Sequence, residues 1–306
     1  MKSITHYHFK AVNSMPDAIL SHVQRGSLHD GPGVRTTFFF QGCNLRCVWC
    51  HNPETISMEP ALMIYSQKCI GCEQCAQVCK RGLTRKDCIH CGDCTEVCPA
   101  DARVLSGKMW TTDEMFRIAQ RESRFYGKDG GVTVSGGEPM LQWEAVLEFL
   151  TKCKAAGMHT AVDTAGNVPW VRYETLIPVT DLFLMDLKLS TDDEHRKWTG
   201  VSRSKILDNI RRFSTCGREV WIRMPIIPGV NATKEHINRA ADELLSFGFT
   251  GLVELLPFHR LGAGKYDALG WSYPFADTEP PTDDLMDELR MLMKERGLNV
   301  KIRVRK

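Results

Sequence analysis

Eleven of the thirteen cysteines in this 306-residue chain fall between Cys43 and Cys98, and their spacing sorts them into three sets. The stretch GCNLRCVWCHNP (42–53) carries Cys43, Cys47 and Cys50 as C-x3-C-x2-C. CIGCEQCAQVC carries Cys69, Cys72, Cys75 and Cys79, and CIHCGDCTEVC carries Cys88, Cys91, Cys94 and Cys98, each as C-x2-C-x2-C-x3-C. Regular clusters of soft thiolates point to a metal or cofactor rather than to disulfides. The first set is one ligand short of the four that close a common metal site. Either a fourth ligand comes from elsewhere, or the vacancy has a purpose. Zinc is the competing occupant, but its sites usually use two close pairs rather than tight triplets with a trailing cysteine. Cys153 and Cys216 stand apart, in helical patterns, and read as small buried hydrophobes.

The rest of the composition narrows the class. The chain is 43% hydrophobic and 25% charged, ordinary for a globular protein of one large domain or two smaller ones. A net charge of +2 offers no electrostatic case for nucleic acid or an anionic membrane. No apolar run is long enough to span a bilayer. The opening MKSITHYHFKAVNSMPDAIL lacks an apolar signal segment, so a cytoplasmic location is expected.

Six short runs rich in strand formers must position these residues: TTFFFQG (36–42), GVTVSGG (131–137), HTAVDTAG (159–166), DLFLMDLK (181–188), EVWIRMPIIPG (219–229) and GLVELLPFH (251–259). Helical patterns alternate with them and close on Gly127, Gly157, Gly217 and Gly248. A last helix (282–297) has Thr282 as its N-cap. Alternation predicts a parallel sheet with helices outside, hence an α/β fold. Six strands are fewer than the eight of a closed barrel, so an open, partial (β/α)6 barrel of TIM type is expected, with a flat doubly wound sheet as the alternative. Residues 1–20 read as a loose arm. The barrel takes 21–61 and 108–306, and 62–107 is an insertion too poor in apolar residues to fold without metal. The tail NVKIRVRK reads as a final strand with solvated basic residues. Polar residues gather at the strand ends, where ligands bind in such folds: Ser135 to Glu138, Asp163 and Thr164, Asp186 to Lys188, Arg223 and His259.

The insertion resembles the two-cluster bacterial ferredoxin. That resemblance implies one [4Fe–4S] cluster on Cys69, Cys72, Cys75 and Cys98, and another on Cys88, Cys91, Cys94 and Cys79. The C-x3-C-x2-C loop after a strand resembles the radical S-adenosylmethionine (SAM) motif. It implies a third [4Fe–4S] cluster whose fourth iron binds the SAM amino and carboxylate groups. A reduced cluster would then pass one electron to the sulfonium, giving methionine and a 5′-deoxyadenosyl radical. By the same resemblance SGGEP supplies Gly136, Gly137 and Glu138 beside SAM, the glycines letting the backbone approach it. Trp49, Cys50, His51, Lys188, Ser190, Arg223 and His259 complete the SAM contacts. Asp163, Thr164, Asp186 and the Met185 carbonyl imply a monovalent-cation site. Taken residue by residue, an ordinary βα turn and loop-ordering carboxylates read the same positions without any ligand.

HDGPGVRTTFF (29–39), followed by QGCNLRCVWCHNPE, resembles the glycyl-radical-enzyme activating enzymes, and the likeness runs from about Gln24 onward. The insertion places the chain with their longer branch, which serves choline, glycerol, isethionate, hydroxyproline or hydroxyphenylacetate enzymes. The implied reaction removes a glycine Cα hydrogen on a partner glycyl radical enzyme. Asp30 would contact the partner's glycine loop, where its plain reading is a turn residue in DGPG. A flavodoxin or ferredoxin would donate the electron. Two other classes fit part of the sequence: a radical SAM enzyme acting on a peptide or small molecule, and an iron–sulfur electron-transfer protein.

Overall fold

The computed structural model describes residues 17–83 and 85–303. The expected arm lies outside them up to residue 16. From Asp17, however, the chain is already strand: β1 (Asp17–Ser27) pairs antiparallel with β2 (Arg35–Phe40). Pairing with Phe40 and burial of Ala18 and Leu20 override the weak local pattern of this stretch.

After β2 the chain leaves through a two-stranded ribbon, β3 (Ala61–Ile64) antiparallel to β4 (Arg103–Ser106). Between its arms lie two short helices, α1 (Gln74–Val78) and α2 (Asp93–Glu96). β5 (Lys108–Thr111) returns to pair with β1. The parallel strands follow: β6 (Gly131–Gly136), β7 (His159–Thr164), β8 (Leu182–Asp186), β9 (Glu219–Ile226), β10 (Leu252–Pro257) and β11 (Asn299–Ile302).

The main sheet runs β11-β10-β9-β8-β7-β6-β2-β1-β5. Each parallel connection therefore moves one strand over in the same direction. Right-handed crossovers then put the long crossover helices on one face, which excludes the doubly wound alternative. The helices are α3 (Thr112–Glu122), α4 (Trp143–Ala155), α5 (Trp170–Leu176), α6 (Asp192–Thr199), α7 (Ser204–Phe213), α8 (Lys234–Ser246), α9 (Ala263–Leu269) and α10 (Asp283–Glu295). Threonine starts four of them, with Thr111, Thr191, Thr233 and Thr282 each accepting an N–H from the first turn. The short helices α5, α6 and α9 have no clear sequence signature, since two turns carry too little periodicity.

Period-2 alternation divides the sheet. Phe38, Val134, Val162, Phe183, Ile222, Val253 and Val300 face the helices and form the main core. The opposite face carries Thr37, Ser135, Asp163, Asp186, Arg223 and Glu254. Register brings several into line: Asp186 opposite Arg223, Arg223 opposite Glu254, Glu254 opposite Lys301. One face thus builds stability and the other builds a polar wall.

Candidate active site

The polar wall lines a cleft of about 280 Å3 at the carboxyl ends of the strands. Cys43, Cys47 and Cys50 open into it. So do Asp30, Trp49, His51, Gly136, Gly137, Asp163, Thr164, Asp186, Lys188, Arg223 and His259. Residues more than 200 positions apart meet there because successive strands deliver their ends to one rim.

The cysteine loop is anchored at both ends. Gly42 N–H donates to the Thr55 carbonyl at 2.8 Å, Cys43 N–H to Ile56 at 3.1 Å, and Val48 N–H to Trp198 at 3.1 Å. Burial pushes the Cys43 and Cys50 thiols up to about 12, and raises Cys47 as well. As free thiols they would be neutral and inert; bound iron would draw off the protons. Leu45 N–H already points at Cys43 Sγ, 3.4 Å away. Among the described residues no group of His, Cys, Asp and Glu is gathered as one metal ion would need, whereas an iron–sulfur cubane holds its thiolates farther apart. The cleft also contains a polar atom that calls for a ligand: His51 Nε2 is buried and has no hydrogen-bond partner. The set fits a cluster with a polar co-substrate beside it.

The cations of the cleft are already balanced. Lys188 Nζ lies 2.5 Å from Asp186 Oδ2, and Arg223 Nη1 lies 2.9 Å from Asp163 Oδ1. Burial opposes both charges, but the carboxylates more than offset it and raise both basic groups. Burial likewise pushes the Asp163 carboxyl up against the pull of Arg223, and Ser135 Oγ donates to it at 2.7 Å. The His51 and His259 rings stack at 4.2 Å, and burial lowers the His51 pKa to about 4, so it is a neutral flat surface at physiological pH. Asp30 Oδ2 accepts from Ser27 and Thr37 hydroxyls at 2.7 and 2.8 Å. Burial resists its charge, but Arg223 and these hydroxyls hold it below its usual value.

The fold adds detail to four of the expected contacts. Glu138 does not line the cleft: it is fully buried behind it, accepting from the Thr164 hydroxyl at 2.8 Å, Ala165 N–H at 2.9 Å and Met140 N–H at 3.1 Å. Ser190 lies off the cleft, its carbonyl taken by Arg203. Of the expected cation ligands, Thr164 Oγ1 donates to Glu138, Asp163 pairs with Arg223 and Asp186 pairs with Lys188. The two glycines line the cleft, yet their requirement comes from behind: a Cβ on Gly136 would sit 2.4 Å from Phe40 N, and one on Gly137 2.1 Å from the Gly42 carbonyl. Trp49 also packs into an apolar cluster with Phe258 and Phe275.

Arg303 is the residue the sequence reading missed. It lines the cleft, donates to the His29 carbonyl and lies 3.5 Å from Glu254. Alternation in the tail was the available signal. Val300 packs in the core and Ile302 against it, so Arg303 must face the cleft.

The eight-cysteine segment repeats its backbone as well as its spacing. Gly71 and His90, just before Cys72 and Cys91, have φ of 70° and 54°; Glu73 and Gly92, just after, have 56° and 87°. Among the described residues the non-glycine positions with positive φ are Glu73, Leu83, His90 and Asp101, all in this segment. Such strain costs about 1–3 kcal/mol per residue and persists where a bound group dictates the turn. The turns aim N–H groups at sulfur: Leu83 to Cys79 Sγ at 3.3 Å and His90 to Cys88 Sγ at 3.4 Å. Cys79, Cys88, Cys91 and Cys94 line one cavity, and Cys69, Cys72 and Cys91 are exposed. β3 docks the segment through Met63 against Ala268 and Leu269 of α9.

A singly wound parallel sheet with three thiols at its carboxyl rim defines the class, and residues 37–242 match the Radical SAM superfamily. The fold is also that of a radical SAM methyltransferase from Sphaerobacter thermophilus (TM-score 0.54, 18% identity, 88% of this chain and 66% of that one). Nearly the whole chain is similar to the (2S)-3-sulfopropanediol dehydratase activating enzyme of Klebsiella oxytoca, 35% identical over 94% of this chain and 98% of that one. It is 34% identical to the trans-4-hydroxy-L-proline dehydratase activating enzyme of Clostridioides difficile, over 93% and 98%. It is 36% identical to the benzylsuccinate synthase activating enzyme of Thauera aromatica, over 93% and 92%. The chain belongs to the radical SAM superfamily and, within it, to the activating enzymes of glycyl radical enzymes.

Proposed function

We propose that this activating enzyme is a partial barrel with a ferredoxin-like insertion, that it carries three [4Fe–4S] clusters, and that it installs a glycyl radical on a dehydratase, decarboxylase or related lyase. The carrying observation is the single cleft that joins Cys43, Cys47 and Cys50 to Lys188, Arg223 and His259, with Asp30 on its wall. When bound there, the cluster supplies the electron that splits SAM and so yields the radical that takes the glycine hydrogen. The chain's own residues bind and orient. Lys188 and Arg223 are charged neighbours for a carboxylate, the stacked His51–His259 pair is a platform for a flat base, and Asp30, on the cleft wall, would contact the partner's extended glycine loop. The repeated turns and the Cys79–Cys88–Cys91–Cys94 cavity support two further clusters in the insertion. The insertion has two readings: its clusters relay electrons from a flavodoxin or ferredoxin, or it forms part of the surface that docks the partner. Thirteen unpaired thiols suit a reducing compartment such as the cytoplasm.

Anaerobically reconstituted protein should hold about twelve irons per chain. Reduced with dithionite and given SAM, it should form 5′-deoxyadenosine. Mixed with its partner, it should produce the EPR doublet of a glycyl radical. SAM left uncleaved by the fully loaded protein would sink the proposal. For the relay, Cys91→Ala should cleave SAM with dithionite but fail with a protein donor; equal loss with both would assign the insertion to docking instead.

A further inference from the structure

One of the positions at which the two halves of the insertion differ is Arg103. Arg103 stands five positions after Cys98, and the matching position after Cys79 is the uncharged Thr84. Arg103 lines the cavity of Cys79, Cys88, Cys91 and Cys94. It hydrogen-bonds the Cys94 side chain, while its Nη1 is buried with no partner. A buried guanidinium N–H without an acceptor is costly and calls for one inside the cavity. The neighbouring cations are disposed differently. Arg85 is committed to the carbonyls of Leu62 and Ala268 at 3.2 and 2.7 Å. Lys80 and Arg81 also line the cavity but are exposed, where water and salt screen them.

We propose that Arg103 donates an N–H···S hydrogen bond to the [4Fe–4S] cluster held by Cys79, Cys88, Cys91 and Cys94, and so raises its reduction potential above that of the cluster on Cys69, Cys72, Cys75 and Cys98. Reduction adds one electron and one negative charge to the cluster. A fixed cation and a donor at its sulfur stabilise the reduced form more than the oxidised one. The assignment rests on the two-cluster reading of the insertion given above.

The test uses the full chain with all clusters loaded, titrated with dithionite through redox mediators and followed by EPR. Dithionite supplies one electron to each cluster. The two insertion clusters should titrate separately in the wild type. Arg103→Gln should lower the higher potential by about 59 mV, a tenfold change in the one-electron equilibrium constant. Arg103→Lys should recover part of that. A second measurement needs no variant: in wild-type protein with 15N in its arginine side chains, pulsed EPR of the reduced protein should show a guanidino nitrogen coupled to one cluster. An unmoved potential in the loaded variants, or no such coupling in the wild type, would overturn the assignment of Arg103 alone. About four irons per chain after reconstitution would overturn the two-cluster reading and this inference with it.

Discussion

Arg223 Nη1 stands 2.9 Å from Asp163 Oδ1, joining β9 to β7 across the intervening strand β8. Both side chains are largely buried, at 6% and 16% exposure, so neither charge can be left alone at low cost. Arg223→Met should destabilise the protein by about 3–5 kcal/mol, because it strands a buried carboxylate. Chemical denaturation checks this. The double variant with Asp163→Asn should recover a large part of the stability but none of the SAM cleavage, separating the structural role of the pair from its place in the cleft.

Gly137 has room for no side chain, since a Cβ there would lie 2.1 Å from the Gly42 carbonyl. Gly42 adjoins Cys43, so the strain enters the cysteine loop directly. Gly137→Ala should cost about 1–3 kcal/mol. It should also lower iron content by about four per chain while the insertion clusters remain. Iron and sulfide assays with EPR of the remaining clusters read the outcome; full iron loading with normal SAM cleavage would contradict it.

Glu138 gives the protein a pH signature. Burial raises its carboxyl from 4.5 to about 7, offset in part by the donors Thr164, Met140 and Ala165. Between these values the folded state holds a proton that the unfolded state has released. Stability from this group is therefore present below about 4.5 and declines as pH rises to about 7, with a slope of at most about 1.4 kcal/mol per pH unit. Glu138→Gln cannot titrate. The stability difference between wild type and variant should shift in that window against the wild type and level off above it. A pH-independent difference would show that Glu138 is charged throughout.

A substitution at Asp30 tests whether the two halves of the proposed reaction can be separated. Its carboxylate takes hydroxyl bonds from Ser27 and Thr37 and lines the cleft. Asp30→Asn should leave reductive SAM cleavage in place. Glycyl radical formation on the partner should fall roughly 100-fold, the scale of loss when a reacting group is misplaced by an ångström. Parallel assays of 5′-deoxyadenosine and of the EPR doublet distinguish the two; an equal fall in both would give Asp30 a role in SAM binding instead.

Spacing and period are short-range properties, and what depends on them was legible in the chain. The three cysteine sets, six of the parallel strands, the long helices and their glycine ends all follow from neighbours within a few residues. So does the gathering of Asp163, Lys188, Arg223 and His259, because parallel strands deliver their ends to one rim. Partnership across strands is not local. Pairing with β2 turned Asp17 to Leu20 from arm into strand, and a wall of backbone behind Gly136 and Gly137 dictates their type. Register set Arg223 against Asp163 and Glu254, turned Glu138 inward to Thr164, and brought Arg303 from the tail into the cleft. A buried polar side chain takes whichever acceptor the packed fold leaves within reach, and only the tertiary structure decides which that is.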